Sequence, residues 1–343
     1  MGRLTISNIT NNEPWPNKAE AEAHFTQSEL FGQWQIERGF KVRRLVLKDN
    51  DRPILWWQAL TAPLIRRHTQ IYIPHGPIVL DPSDLNPTVI KLFKEELFKL
   101  AREDKAVFVR LDPQIKDWTK SALNKNGFKT APAFAAHSTL TQPRYEWIMD
   151  LIGSETDWFN RMSKDTRYSI RTAQKRGTVT EIINENLTSE LNNFYQLVLE
   201  TSKRNNFRLH PKSYYEKVLS ETSRNQSGFI VKASFNGIPL VMNLITTGSP
   251  TALHVFGGST TVHRDQLASY LAHWAGFIEA KRQGATTYSF GGISFGEDQN
   301  PSWVDLTAFK QKFPGHIKDY GPLYDLPISR LWYYAYVTAK KFR

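Results

Sequence analysis

The sequence predicts an α/β (α+β) chain of two tandem units, each a mixed, mostly antiparallel sheet flanked by helices. Three observations predict it. The order strand, tight turn, strand, strand, helix, strand occurs twice along the chain. At 343 residues the chain exceeds the usual size of one hydrophobic core. Hydrophobic residues make up 40% of it, with 10 Trp and 20 Phe, which is enough apolar side chain to fill two.

In the first copy, FKVRRLVL and ILWWQAL flank the turn KDNDRP, and QIYIPHGPIVL reads as a third strand, with Asp, Asn and Pro supplying the turns. In NPTVIKLFKEELFKLARED, Val89, Ile90, Leu92, Phe93, Leu97, Phe98 and Leu100 recur at helical spacing, and the strand AVFVRLDP follows. In the second copy, GFIVKASF, the turn NGIP, LVMNLITT and TALHVFGGS precede the helix LASYLAHWAGFIEAKRQG and the strand TTYSFGGI. This order is similar to that of the GNAT acyltransferases. Gln142, Pro143 and Arg144 interrupt the pattern in LTQPRYEWIMDL, so the expected domains are 1–143 and 144–319. SWVDLTAFKQKF reads as a further helix, and DLPISRLWYYAYVTAKKFR as a terminal aromatic helix, within 320–343, that packs back to complete the first domain.

Lys and Arg total 44 against 33 acids, a formal charge of +11, which favours anionic partners: RNA, nucleotides, phospholipid headgroups or anionic metabolites. The absence of cysteine excludes disulfides, thiolate metal sites and cysteine nucleophiles. The opening MGRLTISNITNNEPWPNK lacks the apolar segment of a secretory signal, and no uncharged apolar run is long enough to span a bilayer. The expected location is cytoplasmic.

RMSKDTRYSIRTAQKRG, residues 161–177, carries six basic residues and one acid before its closing glycine. At 100° per residue Arg161, Lys164, Arg167, Arg171 and Lys175 fall within an arc of about 120° on a helix, with Met162, Ile170 and Ala173 opposite. Gly177 can take the left-handed conformation that ends a helix. Most charged helix faces are simply solvated, but they interleave both signs, and here only Asp165 interrupts the series. Like charges at i,i+4 repel unless a partner anion neutralises them, so this face is read as a rail for phosphates of RNA, a nucleotide or a diphosphate substrate.

Other features bear on the chemistry. GISFG, residues 292–296, matches the G-x-S-x-G nucleophile elbow, but that motif needs a helix directly after Ser294, whereas Glu297, Asp298, Gln299, Asn300 and Pro301 read as a loop, with only His316 downstream as a base. The nine histidines show no HExxH spacing, and no metal site is expected. GGSTTVHRDQLASYLAHW has no close pair of glycines at the helix start to cradle the pyrophosphate of coenzyme A. In TAFKQKF, Lys310 and Lys312 stand between Phe309 and Phe313; such a lysine either snorkels over apolar surface or, held by aromatic walls, stabilises an oxyanion or fixes a carboxylate.

QSELFGQW, YIPHGPIVLD, FVRLDP, SKDTRYSIRTAQKRG, FRLHPKSYY, HVFGGST, SYLAHW, YSFGGI and AFKQKF, in this order over nearly the whole chain, resemble the Fem-type (FemABX) aminoacyltransferases. Those enzymes transfer amino acids from aminoacyl-tRNA to the stem peptide of peptidoglycan precursors on two GNAT-like domains. The resemblance implies that Lys310 is the essential lysine, with Phe309 and the glycines Gly291 and Gly292 of the GGI strand beside it. It implies that Asp112 contributes to the precursor site. His210 and Tyr214 stand where an arginine and a tyrosine hold the precursor's phosphates, Phe256 stands where a tyrosine is usual, and Gln35 replaces a lysine. Pro314 replaces a glycine after FKxxF, and the antiparallel helical arm of some members is absent. The lost hydroxyl and charges bear on which precursor is used, and Lys164, Arg167 and Arg171 can compensate.

The function expected from this resemblance is tRNA-dependent aminoacyl transfer to a lipid-linked or UDP-linked muropeptide. No cofactor, no covalent enzyme intermediate and no DNA partner are expected, and peripheral contact with the inner face of the membrane would come through the substrate. Two alternatives stand: a GNAT-like N-acyltransferase using another activated donor such as a CoA thioester, and a non-catalytic RNA-binding module on the same fold.

Overall fold

A computed structural model describes residues 3–9, 23–113, 120–132, 134, 140–248, 250–296, 299 and 301–342. The chain divides into two compact units, Met1–Arg144 with Tyr320–Arg343, and Tyr145–Asp319.

The first unit begins with β1 (Leu4–Asn8) and α1 (Glu29–Glu37), whose N-terminus is capped by the Ser28 hydroxyl accepting from the Phe31 N–H at 3.2 Å. The strands β2 (Lys41–Asp49), β3 (Arg52–Ile65) and β4 (His68–Ile73) pair antiparallel in sequence. QIYIPHGPIVL, expected as one strand, is two. Pro74 and Pro77 remove ladder donors, so the chain leaves β4 and a short β5 (Ile78–Val79) folds back onto β3. Helix α2 (Pro87–Glu103), capped by Asn86, lays Val89, Phe93, Leu97 and Leu100 in the same core as Trp57, Ile71 and Val109. β6 (Ala106–Leu111) then pairs parallel with β4, and α3 (Lys120–Lys125) and β7 (Lys129–Thr130) follow.

The second unit runs β8 (Tyr145–Asp150), α4 (Glu155–Arg161), α5 (Lys164–Lys175), β9 (Val179–Ile183), α6 (Leu191–Asn205), α7 (Lys212–Arg224) and β10 (Gly228–Phe235). It continues through β11 (Ile238–Thr246), β12 (Thr251–Ser259), α8 (Ala268–Arg282), β13 (Thr287–Gly292), α9 (Val304–Lys310) and β14 (His316–Asp319). Its sheet is ordered β14-β8-β13-β12-β11-β10-β9. Helix α8 contributes Ala272, Phe277 and Ala280 to a core with Phe229, Val231, Ile245 and Tyr288. Helix α6 presses so closely on β12 that a Cβ on Gly258 would lie 2.4 Å from the Leu197 carbonyl carbon.

The chain then returns to the first sheet. β15 (Tyr324–Pro327) inserts between β6 and β7, where the Asp325 carboxylate accepts from the Arg110 guanidinium at 2.7 and 2.8 Å, both side chains buried. Helix α10 (Arg330–Lys341) packs Trp332, Tyr333, Tyr336 and Val337 on Val107 and Phe108. DLPISRLWYYAYVTAKKFR is therefore not helical throughout. Leu326 precedes a proline, which disfavours helix, and Asp325 finds its charge partner only in the sheet. The first sheet reads β1-β2-β3-β4-β6-β15-β7, with β5 on β3.

Among the described residues each sheet has one parallel pair, at the same place in its order, and the two pairs differ. In the first unit the β4/β6 ladder continues to Ile73↔Leu111, the last residue of both strands. In the second, the β12/β13 ladder stops at Leu253↔Ser289, although β12 extends to Ser259 and β13 to Gly292. The second sheet thus parts between its two central strands.

Candidate active site

Where the β12/β13 ladder stops, both strands are irregular. On β12 the register slips so that Val255 has no partner between His254, opposite Ile245, and Phe256, opposite Leu244. Such a bulge turns the residues on its two sides to different faces. The His254 ring meets His273 of α8 at 5.0 Å between centroids, while Phe256 meets Tyr215 of α7 at 5.4 Å. On β13 the register against β8 slips between Ser289 and Gly292, and Gly291 adopts φ +73°. An alanine there would be strained, and its Cβ would stand 3.4 Å from the His254 carbonyl oxygen and 3.9 Å from the Lys310 Nζ.

Lys310, the last residue of α9, points its ammonium to this place. The Nζ donates to the Gly292 carbonyl at 2.6 Å and is buried, so the side chain does not snorkel to solvent. Burial lowers its pKa to about 8, against the opposing pull of Glu146. The Glu146 carboxylate, buried on β8, accepts from the Ser289 hydroxyl at 2.7 Å, and the Ser289 oxygen accepts from the Gly291 N–H at 2.9 Å, which braces the turn that presents Gly292. On the other side His254 is pushed down to about 3 by burial and by Lys310, and His273 lies well below its usual value through burial, His254 and Lys310. Both imidazoles are neutral at neutral pH, and the lysine is mostly charged. One N–H of that ammonium is used by Gly292. Two remain with no described acceptor, in a low-dielectric setting where hydrogen bonds to a developing anion are strong. Phe309 packs on Tyr270, His273 and Phe313 at 5.3, 5.6 and 5.7 Å between centroids, anchoring the helix that carries the lysine.

The remaining residues suggested by sequence fall into three groups. His210, Tyr214 and Phe256 come together: His210 lies 4.4 Å from Tyr214 and 6.5 Å from Phe256 between ring centroids. Asp112 belongs to the first unit, just past β6, where its buried carboxyl accepts from the Tyr72 hydroxyl at 2.8 Å and the His75 backbone N–H at 2.5 Å; burial raises its pKa to about 8. Gln35 is buried in α1 and accepts from Arg38 at 2.9 Å. The basic stretch is two helices, which corrects the single helix expected. Met162 is extended and buried, and the Ser163 hydroxyl accepts from the Thr166 N–H at 3.2 Å to start α5. Arg161 therefore ends α4, where it donates to the Asp150 and Ile152 carbonyls at 3.2 and 3.4 Å. On α5, the Arg167 guanidinium donates to the Asn160 and Met162 carbonyls at 3.1 and 2.6 Å, and Arg171 stacks on Phe159 at 4.9 Å. Lys164 and Lys175 are exposed. The Thr166 hydroxyl donates to the Lys312 carbonyl at 3.0 Å, tying α5 to the chain just after Lys310.

Ser294 is no elbow serine: its backbone N–H donates to the Thr307 hydroxyl at 2.9 Å and the next helix starts only at Val304. Glu297, Asp298 and Asn300 lie outside the described residues. Glu146, Ser289 and His254 were missed in the sequence. A carboxylate or imidazole in an otherwise apolar strand, as in YEWIMD and TALHVF, was the available signal.

A family model described as the FemAB family matches residues 11–140, 114–236 and 219–341, together nearly the whole chain. The chain belongs to the FemAB family. A curated relative, the lipid II:glycine glycyltransferase of Staphylococcus haemolyticus (strain JCSC1435), is 22% identical over 321 aligned positions, which cover 73% of this chain and 75% of that one. Among solved structures, that of FemX is 19% identical with a TM-score of 0.81, covering 96% of this chain and 99% of that one. A tandem GNAT protein from the clavulanic acid biosynthesis pathway is 11% identical with a TM-score of 0.55, covering 95% and 99%. The fold of this FemAB protein is thus two tandem GNAT-like domains, each a mixed sheet flanked by helices. No described helix is long and apolar enough to cross a membrane.

Proposed function

We propose that this FemAB-family protein is an aminoacyltransferase that moves an amino acid from aminoacyl-tRNA to an amino group on the stem peptide of a peptidoglycan precursor. The observation that carries the proposal is the buried Lys310 ammonium, fixed by the Gly292 carbonyl beside the end of the β12/β13 ladder. The membership of the family and the lipid II:glycine glycyltransferase activity in the name of a relative support the acceptor.

In the reaction the acceptor amine attacks the carbonyl carbon of the ester that joins the amino acid to the tRNA 3′ end. The C–N bond forms, the carbonyl oxygen becomes an oxyanion, and on collapse the C–O ester bond breaks. The attacking amine's proton passes to the departing ribose oxygen. The ester is already activated, so positioning and oxyanion stabilisation supply the acceleration. The two N–H groups of Lys310 left over from Gly292 are the donors for that oxyanion. Lys164 and Lys175, with Arg171, supply cations for tRNA phosphates.

The test is to incubate the protein with a charged tRNA pool and a lipid-linked or UDP-linked pentapeptide and weigh the product. An acceptor heavier by one aminoacyl residue supports the proposal. No product with any aminoacyl-tRNA, together with acylation by acetyl-CoA, would replace it with the N-acyltransferase reading. Salt-sensitive RNA binding without turnover on any acceptor would leave a binding module.

A further inference from the structure

Helix α10 carries more apolar surface than the first sheet covers. Its inner face is Trp332, Tyr333, Tyr336 and Val337, packed on Val107 and Phe108. On the opposite side Leu331, Tyr334, Ala335, Thr338 and Phe342 recur at helical spacing, and Leu331, Tyr334 and Phe342 are 79%, 50% and 81% exposed. A helix apolar on both faces while packed on one is unusual in a protein surrounded only by water. The rim of the outer face is cationic. Arg330 and Lys341, at opposite ends of the helix, fall on the same edge of it at 100° per residue, and Lys129 of β7 donates to the Tyr334 hydroxyl at 2.8 Å. No acid occurs after Asp325, which is buried against Arg110.

We propose that the outer face of α10 docks on the headgroup region of an anionic bilayer. Leucine and phenylalanine would enter the acyl boundary, tyrosine would lie at headgroup level, and Arg330, Lys341 and Lys129 would meet lipid phosphates. The apolar stripe is what selects a bilayer over a nucleic acid, since phosphates alone would satisfy the rim but leave Leu331 and Phe342 wet. The absence of acids along the helix selects it over a protein surface of mixed charge. The inference goes beyond the transfer reaction and stands on the outer face of α10 with Lys129 beside it.

The test is flotation of the full chain with vesicles of phosphatidylglycerol and phosphatidylcholine in equal parts, and with phosphatidylcholine alone. The protein is expected to float with the first and not with the second. Lys341→Gln is expected to weaken partitioning by roughly fivefold, and the double substitution Leu331→Glu with Phe342→Glu by at least about tenfold. Both positions are exposed, so the thermal unfolding midpoint should not move. Absence of wild-type flotation, or equal flotation of the double variant, overturns the inference. So does a wild-type dimer that the double substitution dissociates in sedimentation velocity, which would make the face a seat for a second copy. Aminoacyl transfer to a soluble nucleotide-linked pentapeptide is measured alongside. Transfer retained by the non-floating double variant supports a docking role separate from chemistry. Vesicle binding lost in that variant, with no transfer by the wild type to either the nucleotide-linked or a lipid-linked pentapeptide, upholds the docking and rejects the reaction.

Discussion

Replacing Lys310 by methionine keeps the length of the side chain and removes its charge, so it separates what the ammonium does for the reaction from what it does to the fold. In the folded protein its pKa falls from 10.5 to about 8, mainly by burial. A drop of that size means the protein disfavours the charged form by about 3 kcal/mol at neutral pH relative to water. Loss of the hydrogen bond to the Gly292 carbonyl returns about 1 kcal/mol of that. Lys310→Met is therefore expected to raise the unfolding free energy by about 2 kcal/mol at pH 7. Removing an oxyanion donor lowers kcat by roughly 100- to 1,000-fold, about 3–4 kcal/mol. The variant should be more stable and nearly inactive. Denaturant unfolding followed by tryptophan fluorescence reads the first quantity, and single-turnover transfer from labelled aminoacyl-tRNA reads the second. A Lys310→Met protein that is less stable, or that retains more than a tenth of the wild-type rate, would refute the reasoning.

The same shift fixes a pH dependence. Because the folded pKa of Lys310 lies below the unfolded one, its penalty is fully present below about pH 8 and is relieved as the pH rises towards 10.5; unfolding titrations should show wild-type stability gaining on Lys310→Met over that window, and transfer should decline above about pH 8 as the ammonium is lost. Gly291→Ala places a Cβ at φ +73° and 3.4 Å from the His254 carbonyl, so it should cost roughly 1–2 kcal/mol and also impair transfer by moving Gly292; Gly237→Ala, at φ +78° with nothing within 4 Å, should cost similar stability in thermal melts and leave transfer unchanged. On the basic helix, reversing Lys164, Arg171 and Lys175 to glutamate should weaken tRNA binding and reduce the salt slope by roughly 0.7–0.9 for each phosphate no longer neutralised. Arg167→Ala should instead destabilise by about 1–3 kcal/mol, because it strips donors from the Asn160 and Met162 carbonyls. Tight binding by the triple variant would remove α5 from the tRNA site.

The repeat was legible because it rests on local signals. Turns such as NGIP and KDNDRP and the periodic apolar face of α2 specify strand and helix without reference to the rest of the chain. What escaped depends on distant partners. Tyr324–Pro327 is a strand because Asp325 must meet Arg110 in another part of the sequence, and nothing within DLPISR announces that. The helices α6 and α7 were not anticipated. The basic stretch looked like one helix because its charges keep a helical period through Met162, yet burial of that methionine and the Ser163 cap divide it. At the site, Lys310 stood out as a candidate through its flanking aromatics and the resemblance of AFKQKF. Its geometry was not: the early end of the β12/β13 ladder and the bulges at Val255 and Gly291 are properties of strand register, which a one-residue slip changes without altering composition.

The most direct measurement of the central claim is mass spectrometry of muropeptides from cells with the gene, without it, and carrying only Lys310→Met. Stem peptides in the last two should both lack the same aminoacyl residue, whose mass names the donor. Unchanged cross-bridges in the deletion, or full bridges with Lys310→Met as the sole copy, would contradict a transfer reaction centred on that ammonium.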